Sequence, residues 1–145
     1  MGTMPLLDKF AHAKHNYDVC HFLNDSNKSL NDWIVTTAFY SAIHFCQKGL
    51  FPGDYYVDSE TKELNYYDNF EEFLIAFKNS SNARQFASPH KCRRWLIESQ
   101  VDEISYEYSA LSDNCHTARY KDYKVGDDDR KDSLDFLDEI KSFCE

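Results

Sequence analysis

Trp33-Ile-Val-Thr-Thr-Ala-Phe-Tyr-Ser-Ala-Ile-His-Phe-Cys-Gln47 contains no charged residue, no glycine and no proline, and is bracketed by Asp32 and Lys48. At about 100° per residue, Val35, Phe39, Ala42, Ile43 and Cys46 share one side of a helix. Leu30, Ile34, Ala38 and Phe45 cover much of the other. A helix that is apolar on nearly all sides is surrounded by other helices. Between the two sides runs a narrow polar stripe of Thr36, Thr37, Tyr40, Ser41, His44 and Gln47. Tyr40 and His44 stand one turn apart on it, which makes them a first candidate site.

The chain around this stretch has 145 residues, 42% of them hydrophobic and 16% aromatic. A chain of that length buries roughly 70% of its unfolded surface, enough for one core. A single domain over 1–145 is therefore expected. Few glycines and prolines favour helices over a loop-rich β fold. A net charge of −9 argues against general, charge-driven binding to nucleic acid or membranes and leaves any such role to a local basic patch. The chain does not open with a basic region followed by an apolar run. The 33–47 run is too short and too polar to span a bilayer, so no membrane is expected. The cysteines are Cys20, Cys46, Cys92, Cys115 and Cys144, with no Cys-x-x-Cys spacing. Free thiols in a reducing cytoplasm are the plain reading, with no metal and no cofactor.

In chain order, the spacing of Leu6, Phe10, Ala13, Tyr17 and Cys20 predicts a first helix over about 6–24. His12, His15 and Asp18 on it read as a solvated face, because a metal site needs more ligands. Asn27 or Ser29 is expected to cap the second helix, and the short connection predicts antiparallel packing. Gly49 is expected in the left-handed conformation that ends a helix, with Pro52 blocking continuation. The acidic, tyrosine-rich residues 53–67 read as an ordered loop or a short irregular insertion. Asp68 or Asn69 caps a third helix over about 70–78. Ser88-Pro89 opens a long fourth helix, or a bent pair, reaching about residue 123. Gly126 closes it, and Asp127, Asp128 and Asp129 cap a final helix.

His90-Lys-Cys-Arg-Arg94 and the run from His116 through Arg119 to Lys124 are the basic stretches of this acidic chain. An arginine holds phosphate with a bidentate fork. A histidine near its free pKa serves as acid or base at neutral pH. RNA cleavage through the 2′-hydroxyl needs both capacities and no metal. Arg84 and His90 are the candidate pair, with His90 at a helix start where free N–H groups favour an anion. The competing readings are a surface arginine and a first-turn histidine. For His44 the competing reading is a buried ring hydrogen-bonded across the bundle. For Arg119 it is an internal clamp with Tyr120.

Four segments, in order, resemble the HEPN superfamily of helical domains, which are found in prokaryotic nucleotidyltransferase partners, toxins and antiviral ribonucleases. They are His15-Asn-Tyr-Asp-Val-Cys-His-Phe-Leu23, then Asn31-Asp-Trp through Tyr40 to His44, then Ser88-Pro-His-Lys-Cys-Arg93, then Tyr108-Ser-Ala-Leu111 with Ala118-Arg-Tyr120. The likeness covers roughly residues 12–124. It implies an all-α, up-and-down bundle of four to five helices, often a homodimer with paired sites at the interface. Ribonuclease members carry an arginine, four to six residues and then a histidine, a spacing met here by Arg84 and His90. The resemblance therefore implies an RNA-directed domain with metal-independent endoribonuclease chemistry. In it His90 acts as acid/base and Arg84 holds the scissile phosphate. Arg93, Arg94 or Arg119 assists, and Tyr40 and His44 support from the central helix. The alternative is a non-catalytic interaction module partnering a nucleotidyltransferase or toxin-type protein, with the 54–67 segment facing the partner.

Overall fold

The computed structural model describes residues 8–26, 30–80, 84–120 and 125–145, with every side chain among them except those of Arg84 and Tyr120. The described chain is predominantly helical. It comprises α1 (Ala11–Asn24), α2 (Asn31–Gly49), β1 (Gly53–Tyr55), β2 (Asn65–Tyr67), α3 (Phe70–Ser80), a 3-10 turn (Arg84–Phe86), α4 (Pro89–Gln100), α5 (Asp102–Tyr120) and α6 (Asp127–Cys144).

The uncharged stretch forms α2, which packs against α1, α5 and α6. Ile34, Val35, Ala38, Ala42, Phe45 and Cys46 are buried on its several sides. Full burial of a side chain as large as Ile34 or Phe45 contributes roughly 1.5–3 kcal/mol. The threonine and serine hydroxyls of the polar stripe are satisfied by backbone. Thr36 donates to the Asp32 carbonyl at 2.7 Å and Thr37 to the Trp33 carbonyl at 2.9 Å. Ser41 reaches across to the Ala13 carbonyl at 2.8 Å, and the Cys20 thiol donates to the Ile34 carbonyl at 3.4 Å. These cross-links, early on one helix to late on the other, show that α1 and α2 run antiparallel.

Several boundaries differ from the sequence reading. Helix α1 begins at Ala11, because Asp8 first makes a turn of its own, accepting from the Phe10 N–H on its carboxylate and the Ala11 N–H on its carbonyl. Leu6 lies outside the described residues, as do the expected caps Asn27 and Ser29. Leu30 occupies the cap position of α2, without a side-chain bond. Gly49 does not adopt a left-handed conformation. Its role is close approach, since a Cβ there would lie 2.5 Å from the Cβ of Cys144 at the end of α6.

The 53–67 segment is an antiparallel ribbon, with Gly53 opposite Tyr67 and Tyr55 opposite Asn65. Lys62, in the connection between its strands, takes a positive φ of 51°, an uncommon conformation for a residue with a Cβ. The ribbon is clasped to the end of α4. Gln100 accepts from the Tyr56 N–H and donates to the Tyr56 carbonyl, both at 2.8 Å. Tyr67, Phe51 and Tyr55 pack around Phe73 of α3. Asn69, one of the two expected caps, accepts from the Glu72 N–H, while Glu72 accepts from the Asp68 N–H, each at 2.9 Å.

The long fourth helix is the bent pair α4 and α5. Val101 leaves the helical region (φ −128°, ψ 69°) and seats its side chain in the core, with no glycine or proline at the break. Residues 121–124 lie outside the described set. The cap position of α6 is Gly126, in an extended conformation. Asp127, Asp128 and Asp129 sit in the first turn, where their charge complements the helix dipole.

Candidate functional site

Ser88 accepts the Lys91 N–H on its hydroxyl at 3.2 Å and Pro89 occupies the first turn, so α4 starts where the sequence placed it. This start carries His90 to the mouth of a cleft of about 240 Å³ between α2, α4 and α5. Phe39 and Tyr40 of α2 line one side. Ser112, Cys115, His116 and Arg119 of α5 line the other. Three of the sequence-selected residues therefore meet here: Tyr40, His90 and Arg119. Arg119 donates to the Tyr40 hydroxyl at 2.7 Å, with its guanidinium 5.9 Å from the centre of the Tyr40 ring.

Arg93 lies one turn along α4 from His90 and is only 4% exposed. Its guanidinium sits 5.1 Å from the centre of the Phe70 ring, and its Nε is buried without a partner. Among the described residues no carboxylate pairs with it. The buried Tyr108 hydroxyl lies beside the guanidinium without reaching hydrogen-bond geometry. The contact that Arg93 does make is from Nη1 to His90 Nδ1, at 3.2 Å. A guanidinium only donates, so Nδ1 is the acceptor and neutral His90 carries its proton on Nε2. Lost hydration, followed by the Arg93 charge, holds the His90 pKa below the ordinary histidine value. His90 thus presents a donor and no free lone pair.

The remaining candidates lie elsewhere. Arg94 pairs with Glu98 at 2.7 Å and Asp113 at 2.8 Å, a surface network that occupies its fork. His44 faces α1, stacked on His12 with ring centres 3.7 Å apart. Burial, followed by His12 and then Arg93 and Lys48, keeps its pKa low. Tyr40 and His44 therefore serve different surroundings. Arg84 begins the 3-10 turn before α4, and its side chain lies outside the described residues.

Three polar or titratable cleft residues were given no role from the sequence: Ser112, Cys115 and His116. His116 stands in the basic stretch 116–124, three positions before Arg119, and that spacing was its available signal. Burial pushes the Cys115 thiol up, so it is no ready nucleophile. Among the described residues no group of three or more His, Cys, Asp or Glu could hold a metal ion. Likewise, no described helix is long and apolar enough to cross a membrane. Compared with family models, curated proteins and solved structures, the chain matches none.

Proposed function

We propose that this chain is an HEPN-like, RNA-directed domain whose cleft cleaves a phosphodiester through the ribose 2′-hydroxyl without a metal. The observation that supports it is the meeting of His90, His116, Arg119 and Tyr40 in one cleft, delivered by three helices. Because Arg93 occupies His90 Nδ1, the acid/base role expected of His90 divides. His116 takes the 2′-hydroxyl proton as the 2′-oxygen bonds to phosphorus. His90 Nε2–H and Arg119 donate to the phosphate oxygens as charge builds there. Tyr40 accepts from Arg119 and keeps one O–H hydrogen, which goes to the departing 5′-oxygen; water then carries the proton taken by His116 back to the Tyr40 oxygen, restoring both groups.

Single-turnover cleavage of a short RNA tests this division. His116→Ala loses about 10²–10⁴-fold in rate. His90→Ala loses about 10²–10³-fold, whereas His90→Gln, whose amide still donates, keeps most of the rate. Equal losses for His90→Gln and His90→Ala contradict the donor role. The second reading is a non-catalytic interaction module for a nucleotidyltransferase or toxin-type protein. It is favoured by Leu64 and Tyr66, both exposed on or beside the ribbon. An RNA-inert parent protein that binds such a partner through these two residues would establish it.

A further inference from the structure

A second cavity, of about 170 Å³, adjoins the cleft, and Arg119 lines both. Its other walls are Asp32, Trp33, Thr36 and Ala118. Trp33 is 57% exposed, so one of the protein's two indole rings stands largely in water beside this cavity. The Thr36 hydroxyl is turned to the Asp32 carbonyl, which leaves the Asp32 carboxylate as the acid of the cavity. Asp32 makes no ion pair among the described residues.

From this geometry we infer that the second cavity is a nucleobase subsite that stacks a guanine on Trp33 and reads its edge with Asp32. The inference rests on the RNA-directed reading of the neighbouring cleft. A carboxylate only accepts and has two oxygens side by side. Guanine alone among the common bases presents two adjacent donors, N1–H and the N2 amino group, on its pairing edge. A broad aromatic face stacks any base, so Trp33 supplies affinity and Asp32 supplies choice. Arg119, shared by the two cavities, holds the phosphate between the seated base and the cleft. A base whose face lies on Trp33 and whose pairing edge meets Asp32 is neither stacked in a duplex nor paired, so the strand is single.

The test is binding of two uncleavable 2′-O-methyl tetranucleotides, one carrying a guanine and one all uracil, read by tryptophan emission. Trp95 packs on Tyr56 and Phe77, so Trp33 is the tryptophan a strand reaches first. The guanine strand binds roughly tenfold more tightly and quenches the emission. Asp32→Asn removes that preference. Trp33→Ala weakens both strands roughly tenfold, while Trp33→Phe, which keeps a ring, binds nearly as the parent does. Equal affinity for the two strands, or strand affinity unchanged in Trp33→Ala, overturns the subsite. So does a Trp33→Ala protein that loses self-association and nothing else, which would make this face a contact between two copies. Absence of binding by either strand overturns the subsite and the RNA-directed reading together. Binding that depends on Asp32 and Trp33, with no cleavage of unmodified RNA, supports the subsite and defeats the nuclease reading.

Discussion

Replacing Arg93 with methionine separates what this residue does for the fold from what it does for the cleft. Arg93 is 4% exposed and has no carboxylate partner among the described residues. Burying an uncompensated charge costs several kcal/mol. Against that stand the contact to His90, at the low end of about 1.5–3 kcal/mol because the histidine is solvent-accessible, and the Phe70 contact, about 0.5–2 kcal/mol. Methionine keeps much of the volume and removes the charge. The balance favours Arg93→Met by about 1–2 kcal/mol, or about 3–6 °C in Tm for a domain of this size. Urea unfolding with an unchanged slope measures it. In the same variant the His90 pKa moves up toward 6.5, because one of its two depressing causes is gone. Nitrogen chemical shifts in the parent protein are expected to place the His90 proton on Nε2. A folded Arg93→Met protein destabilised by about 3 kcal/mol or more, with the His90 titration unmoved, would refute this reasoning. Arg93 would then be a compensated structural group.

Three further outcomes follow from the packing. His44 and His90 are both held below the ordinary value of 6.5, so the unfolded chain takes up protons first as pH falls. Their contribution to stability is complete above that value and is lost as pH drops through it toward the folded pKa values. Urea midpoints at pH 7.5 and 5.5 show this loss, and it is smaller in His44→Phe. Gly49→Ala forces a Cβ to 2.5 Å from that of Cys144 and destabilises by about 1–3 kcal/mol, measured by thermal unfolding. Gln100→Ala removes both bonds to Tyr56 and costs about 1–2 kcal/mol. Hydrogen exchange of the Tyr56 amide then accelerates, and the pairing of Tyr40 with Arg119 in the cleft is unaffected.

The central helix was legible because its signal is local: an uncharged run without breakers, with apolar residues on every side. The Ser88-Pro89 start was legible for the same reason, and it placed His90. The ribbon was not, because its strands are only three residues each and it is held to α4 by Gln100, a residue 44 positions from Tyr56 in the chain. The break at Val101 carries no glycine or proline and follows from where the core accepts a side chain. The cleft was half legible. Tyr40, His90 and Arg119 drew attention one by one, yet no local pattern says that residues so far apart in sequence share a wall. His116 went without a role for that reason. The i, i+4 pairing of Tyr40 with His44 misled in the other direction, since adjacent turns of a buried helix face different neighbours.

The measurement that bears most directly on the account is incubation of the purified parent protein with RNA in EDTA, followed by analysis of the product ends. A metal-independent attack by the 2′-hydroxyl gives cleavage that EDTA does not suppress, fragments ending in 2′,3′-cyclic phosphate, and none from a strand whose sugars are all 2′-deoxy. An RNA that stays intact at every sequence tried, or cleavage that EDTA abolishes, would contradict it.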